Sequence, residues 1–433
     1  MLRISLFPQT AQVEKNHLII GGCDTVALVN EFGTPLYVFD EATLRGKCAK
    51  YRKEFSQRYP DTLIIYACKA FINRALAQIF KEEGLGLDVA SDGELTIAKS
   101  VDFPMERIYF NGNNKSRQEL ELATRWGVGR IIVDNFYELS LLEDVAKEAG
   151  VRQDIFLRLS PGVDPHTHAH LTTGAQESKF GFPMAQAEEA ITRAISSSFL
   201  ELIGLHFHLG SQIFELESYR EAIGIVLRFA AEMTSKYGFK FEEFSPGGGL
   251  GIAYTEDSPA PTIAEFAEVI ASNLVDKAKE LDLEPPRLIV EPGRSIVGPA
   301  GVALYSVGAT KEIPGLGKYA SVDGGMADNI RPALYGSRYE AVVANKAEDQ
   351  DWERVTIAGR FCESGDILIK DIDLPKLEPG DIIAIPGSGA YCLSMASNYN
   401  ASLKPAIVLV RDGMARLIRR RQSYEDLMSH DII

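Results

Sequence analysis

The chain has 433 residues, 45% of them hydrophobic and 24% charged, an ordinary globular composition with enough apolar side chain for a large core. A formal net charge of -15 argues against a nucleic-acid surface, and the run Arg419-Arg420-Arg421 is too short to reverse that. No stretch reaches the roughly 20 apolar residues of a membrane span, and no basic segment followed by an apolar run marks a signal peptide. The five cysteines (Cys23, Cys48, Cys68, Cys362 and Cys392) are scattered and never form C-x-x-C, which argues against a disulfide framework or structural zinc and for a reducing cytoplasm.

Residues 1–35 hold one strand-like piece, His17-Leu18-Ile19-Ile20, and Pro35-Leu36-Tyr37-Val38-Phe39 follows as a second. Neither fits the pattern that comes next. Residues 41–60 read as an amphipathic helix with Leu44, Cys48, Tyr51 and Phe55 on one face. A regular alternation then begins. The expected strands are 62–67, 85–89, 107–110, 130–133, 154–159, 202–207, 241–245 and 287–290, with helical segments between them. The first four start about 23 residues apart, the length of a strand, a helix and two short loops. Eight such units, with the 41–60 helix as the eighth helix, predict a closed (β/α)8 TIM-type barrel over 36–295.

After residue 295 the segments 302–307, 318–322, 354–358, 381–385 and 406–411 are short, β-rich and divided by Gly, Pro or Asp turns. They predict an antiparallel β-barrel-like or β-sandwich domain over 296–433. The two orphan N-terminal strands most simply pair with it.

In a barrel of this kind, chemistry sits at the C-terminal ends of the strands. Those ends carry Lys69, Asp88, Asn111, Asn135, Arg158, His206 with His208, Gly247-Gly248-Gly249, and Glu291 with Arg294. Lys69 ends the apolar run Leu63–Ala67. Apolar walls there would favour the neutral amine, which is what a lysine needs to form an imine. Asn73 then caps a helix. Ser245-Pro246-Gly247-Gly248-Gly249-Leu250-Gly251 can turn backbone N–H groups toward a phosphate, yet it is neither a P-loop nor a dinucleotide G-x-G-x-x-G. Glu291 at the last strand end can hold a pyridinium proton, although a Glu-Arg pair at this offset is as often a structural ion pair. The alternation in His206-Phe207-His208 puts both imidazoles on one side. The run His166-Thr167-His168-Ala169-His170 invites a metal reading, but no thiolate or carboxylate set completes it, so no metal is expected. Cys362, next to Glu363 and Asp366 at a turn, is either a small buried hydrophobe or a proton donor.

Several motifs, taken together and in order, resemble the fold-type III pyridoxal-phosphate-dependent decarboxylases over essentially the whole chain. They are Tyr66-Ala67-Cys68-Lys69-Ala70, His206-Phe207-His208-Leu209-Gly210-Ser211, Gly247-Gly248-Gly249, Glu291-Pro292-Gly293-Arg294 and Cys362-Glu363-Ser364-Gly365-Asp366. The stretches Pro161–His168, Thr173-Gly174, Ser178–Gly181 and Asn329–Tyr335 narrow the likeness to the branch whose substrates carry a distal carboxylate. The resemblance implies pyridoxal 5'-phosphate as cofactor, with Lys69 forming the imine to it and His208 stacking on its ring. It implies that Glu291 pairs with the ring nitrogen, and that Ser211, Gly248, Gly249, Gly293 and Arg294 surround the phosphate, with Tyr391 closing over it. Asp88 belongs to the same cofactor set. Arg294, Arg331, Tyr335, Glu363 and Tyr391 would bind substrate, Arg294 and Arg331 at its distal carboxylate. Cys362 would return a proton to the substrate carbon. Cys362 and Glu363 would come from the partner subunit of a homodimer with shared active sites. Cys68 stands where many relatives have another small or apolar residue. Competing readings are a decarboxylase of ornithine, arginine or carboxynorspermidine, a racemase, a non-catalytic cofactor binder, and a regulatory pseudoenzyme. The pair Arg294 and Arg331 disfavours a basic distal group, and the presence of Lys69, Glu291 and Cys362 disfavours the last two.

Overall fold

The computed structural model describes residues 4–164, 179–315 and 317–433. The chain falls into two compact units. One comprises residues 48–251 and 261–293, the other residues 1–47, 252–260 and 294–433.

The first unit is a closed parallel barrel. Its eight strands are Thr62–Ala67, Gly86–Val89, Ile108–Phe110, Arg130–Val133, Gln153–Ser160, Leu200–His206, Glu243–Ser245 and Arg287–Val290, each paired to the next and the last to the first. A two-residue strand, Phe182–Pro183, adds to Gln153–Ser160. Period-two alternation sorts the side chains. Ile65, Tyr109, Ile132, Phe156, Ile203 and Ile289 form a buried inner layer. Tyr66, one residue on, faces outward, where its ring stacks on Phe80 of the helix Arg74–Glu82 at 3.9 Å between centroids.

Helix starts follow local chemistry. Asn73, Ser91, Ser116, Asn135 and Thr262 each accept a backbone N–H of the first turn, and Ser116 with Glu119 and Thr262 with Glu265 close capping boxes. Each cap is worth about 1 kcal/mol. Asn135, listed above among strand-end groups, is therefore engaged in capping the helix Phe136–Ala149.

The strand starts hold a different charge cluster. Glu243 accepts two bonds from Arg130, at 2.8 and 3.0 Å, and one from the Tyr109 hydroxyl at 2.9 Å. Ion pairs at that end of a barrel tie the strands together, whereas groups at the opposite end are free for chemistry.

The second unit is built on a sheet ordered Ile367–Pro375, Trp352–Ala358, Gly317–Val322, Gly301–Ile313, Leu36–Asp40, Ala406–Arg411 and Met414–Arg419. Ile382–Ile385 joins Gly301–Ile313 to Val342–Val343. Most pairings are antiparallel as expected, but Gly317–Val322 runs parallel to Trp352–Ala358, and Ala406–Arg411 parallel to Leu36–Asp40. Both parallel partners are reached by long connections rather than hairpins, so no turn forces reversal. Leu36–Asp40, which the 36–295 boundary would have given to the barrel, lies inside this sheet. His17–Ile20 instead pairs with Gln12–Glu14 and Cys23–Asp24 in a separate small sheet. Its buried Leu18 and Ile20 still pack with Val38, Val302, Ala384 and Val408 in one core. All five cysteines are free, and no helix among the described residues is long and apolar enough to cross a membrane.

Candidate active site

At the C-terminal mouth of the barrel the central group is Glu291, buried just past the last strand. Ser245 Oγ donates to its Oε1 at 2.7 Å and His206 Nε2 lies 3.2 Å from its Oε2. Burial pushes the carboxyl up, but the His206 ring and the bonds from His206 and Ser245 outweigh burial and hold it below the usual carboxylate range. Burial lowers His206 in turn, and the Glu291 charge pulls the other way. Buried Nδ1 of His206 has no hydrogen-bond partner among the described residues. The sequence puts His206 and His208 together at this strand end and the resemblance gives a role to His208 alone, because nothing in the letters shows which carboxylate His206 meets.

The glycine segment wraps this carboxylate. A Cβ on Gly248 would stand 1.9 Å from the Glu291 carbonyl oxygen, so no side chain fits. Gly249, at φ +109°, would put a Cβ 2.5 Å from the Gly210 carbonyl oxygen. Ser245 Oγ also accepts from Gly247 N at 3.1 Å, His208 Nδ1 faces Gly248 N at 3.4 Å, and the Tyr219 hydroxyl donates to the Gly248 carbonyl. This cradle, open on backbone and floored by an ionised carboxylate, suits a phosphorylated pyridine. The carboxylate could pair with a ring nitrogen, and side-chain-free backbone would let a phosphate approach.

Lys69 sits in the short 3-10 turn Cys68–Ala70 that directly follows the first strand. It is exposed, between buried Cys68 and Ala70, so the apolar walls expected around it are absent. The turn breaks the strand's alternation. Its charge nevertheless bears on Asp88, Glu94, His206 and His208, which places it in the same mouth. Asp88 is buried and accepts from Asn111 Nδ2 at 2.6 Å. Burial and the Glu291 charge raise its carboxyl, and Lys69 pulls the other way. Burial, then Lys69, lowers His208 well below the usual imidazole range. Ser211 is exposed beyond the sixth strand.

Within the β unit, a second group gathers around a residue that sequence reading missed. Arg294 Nη1 donates to the Tyr254 hydroxyl at 2.6 Å, and the Tyr254 ring lies 5.0 Å from the Arg331 guanidinium. Arg331 Nε donates to the Tyr339 hydroxyl at 2.9 Å and Nη2 to Ser337 Oγ at 3.1 Å. Burial pushes the Tyr254 and Tyr339 phenols up, so these partners are neutral at pH 7. Among the described residues Arg331 has no carboxylate partner. Burying an unpaired ion costs several kcal/mol, so a guanidinium held this way selects an anionic ligand. Arg294 also lies 4.6 Å from the ring of Tyr391, a non-glycine residue at φ 58°. Tyr335, exposed and one helical turn from Arg331, has its ring 5.8 Å from that guanidinium.

Cys362 and Glu363 are exposed on a turn of the same unit. Buried Asp366 anchors that turn by accepting from Phe361 N at 2.8 Å and Met326 N at 2.7 Å. The Cys362 N–H donates to Asn400 Oδ1 at 2.9 Å. The run His166–His170, together with Thr173, Gly174 and Ser178, lies outside the described residues. Among the described residues no group of three His, Cys, Asp or Glu could hold a metal.

A barrel mouth with a lysine, a buried carboxylate and a glycine cradle is the donor set a pyridoxal-phosphate enzyme needs, and the comparisons show that class. The family model described as "Pyridoxal-dependent decarboxylase, pyridoxal binding domain" matches residues 41–298. The chain is 45% identical to the diaminopimelate decarboxylase of Bacillus subtilis over 97% of its own length and 96% of that protein's. It is also 45% identical to the diaminopimelate decarboxylase of Synechocystis, over 99% of this chain and 93% of that one. The crystal structure of diaminopimelate decarboxylase from M. jannaschii in co-complex with L-lysine superposes with a TM-score of 0.93 at 36% identity, covering 98% of both chains. The chain belongs to the diaminopimelate decarboxylase family of pyridoxal-dependent decarboxylases.

Proposed function

We propose that this protein decarboxylates meso-2,6-diaminopimelate to L-lysine and CO2, the last step of lysine biosynthesis, as a cytoplasmic homodimer with shared active sites. The observation that carries the substrate assignment is Arg331, buried among neutral partners beside Tyr254 and Arg294. A basic distal group, as in ornithine or arginine, would be repelled there. A carboxylate satisfies it. That a relative binds L-lysine, which keeps one carboxylate, supports the same reading.

The bound cofactor supplies an electron sink for the carbon that loses CO2. Lys69 would hold it covalently, and Glu291, fixed by Ser245 and His206, would present a carboxylate to its ring nitrogen. His208 would stack on the ring with Asp88 in the same barrel set, Ser211, Gly248, Gly249 and Gly293 would leave room for the phosphate, and the resemblance adds Tyr391 to the cofactor set. Arg294, Arg331 and Tyr335 orient the distal end of the substrate. Cys362 delivers the proton that replaces the lost carboxylate, and Glu363 lies beside it.

Purified protein supplied with pyridoxal phosphate should form equal amounts of lysine and CO2 from meso-diaminopimelate and leave ornithine and arginine untouched. Arg331→Ala should raise KM roughly 100-fold, the value of one charge-assisted bond pair, with cofactor binding unchanged. Turnover of ornithine in preference to diaminopimelate, or unchanged kinetics in Arg331→Ala, would overturn the substrate assignment.

A further inference from the structure

We propose that Tyr254 is a positioning residue that sets the spacing of the Arg294 and Arg331 guanidiniums and so makes them a single carboxylate clamp. The inference rests on the reading that this pair receives the substrate's distal carboxylate. Tyr254 engages both arginines in different ways. Its hydroxyl accepts from Arg294 Nη1 at 2.6 Å, and its ring faces the Arg331 guanidinium at 5.0 Å. The second attachment of Arg331 leads back to the same residue. Tyr339, which accepts from Arg331 Nε at 2.9 Å, packs edge-on against the Tyr254 ring at 5.0 Å and 73°.

All four side chains are buried, at 9% exposure for Tyr254, 8% for Arg294, 5% for Arg331 and 4% for Tyr339. Gly387 leaves the ring its place. Gly387, at φ +67°, abuts it so closely that an added Cβ would lie 3.2 Å from Cδ1. A long cationic side chain loses much rotamer freedom when it is fixed. Here that ordering is done before a ligand arrives, so the clamp binds without reorganising. A merely structural tyrosine would have no need of one arginine on its oxygen and another on its face.

The test compares Tyr254→Phe and Tyr254→Leu in the pyridoxal-loaded holoenzyme. Phenylalanine keeps the ring under Arg331 and loses the bond to Arg294. KM for meso-diaminopimelate should rise roughly 10-fold with kcat within a factor of about 2. Leucine loses both contacts, and KM should rise roughly 100-fold. If the leucine variant fails to fold, the phenylalanine variant, which differs by one oxygen, carries the test. A second readout needs no turnover. Calorimetric titration with pimelate, a dicarboxylate without amino groups, should show the same rank order of Kd. Variants within a factor of about 2 of wild type in both KM and pimelate Kd would overturn the proposal, as would a fall in kcat with KM unchanged, or failure of wild type to bind pimelate. Wild type that binds pimelate in a Tyr254-dependent way but leaves meso-diaminopimelate intact would keep the clamp and refute the decarboxylase reading.

Discussion

Mixing Lys69→Ala and Cys362→Ala proteins, each nearly inactive alone, should restore roughly a quarter of wild-type activity once subunits have exchanged, on the symmetry of a two-fold dimer. The expectation follows from where the two residues lie. Lys69 ends the first barrel strand, and Cys362 is exposed on a turn of the other unit. A proton donor to a carbanionic carbon must work where water is excluded, and an exposed thiol on an isolated chain does not meet that condition. A neighbouring subunit placed over the turn does, and two-fold symmetry then makes two equal sites. Each single substitution removes a group that acts on the reacting atoms, so the loss should be roughly 10²- to 10⁴-fold. In a random mixture about half the dimers are heterodimers, and each holds one whole site and one doubly damaged site. Recovery to that level, with exchange confirmed by mass, supports shared sites. No recovery would mean that both residues serve one site from one chain.

Glu291→Gln should reduce kcat roughly 10²- to 10³-fold, the usual cost of removing one fixed electrostatic group from an active site. Glutamine has the shape of glutamate and can keep partners at Ser245 and His206, so the barrel should fold and the glycine cradle should stay in place. What it cannot supply is the charge that those two residues stabilise at the buried position. Steady-state kinetics together with the cofactor's absorbance separates this effect from loss of binding. A kcat within a factor of about 3 of wild type would show that the ring nitrogen needs no anion here.

The barrel was legible because its strands are short apolar runs with polar residues at or just past their ends, and five of its helix starts carry a side-chain cap. Asn73 was visible as a cap from the letters alone. The strands Ile367–Pro375 and Met414–Arg419 escaped because Lys370, Asp371 and Asp373, and Arg416 and Arg419, interrupt their apolar pattern. The second of these is an exposed sheet edge, where charges are favoured. The antiparallel expectation for the β domain missed two parallel pairings because strand direction across a long connection leaves no trace in composition. In the site, motif residues were found and their supports were not. His206 was read as a strand-end group and Ser245 as the start of the glycine segment, and neither reading showed that they hold Glu291. Tyr254 stands alone in a loop with no motif around it, and only its contacts with two arginines reveal it. The exposure of Lys69 was likewise hidden, since the apolar run before it does not show that the chain turns at Cys68.

Borohydride reduction of the pyridoxal-loaded protein, followed by peptide mapping, tests the central claim that the mouth of this barrel is the reaction centre. The pyridoxyl label should fall on the peptide containing Lys69 and be lost in Lys69→Ala. Label on any other lysine, or label that persists in Lys69→Ala, would contradict the account.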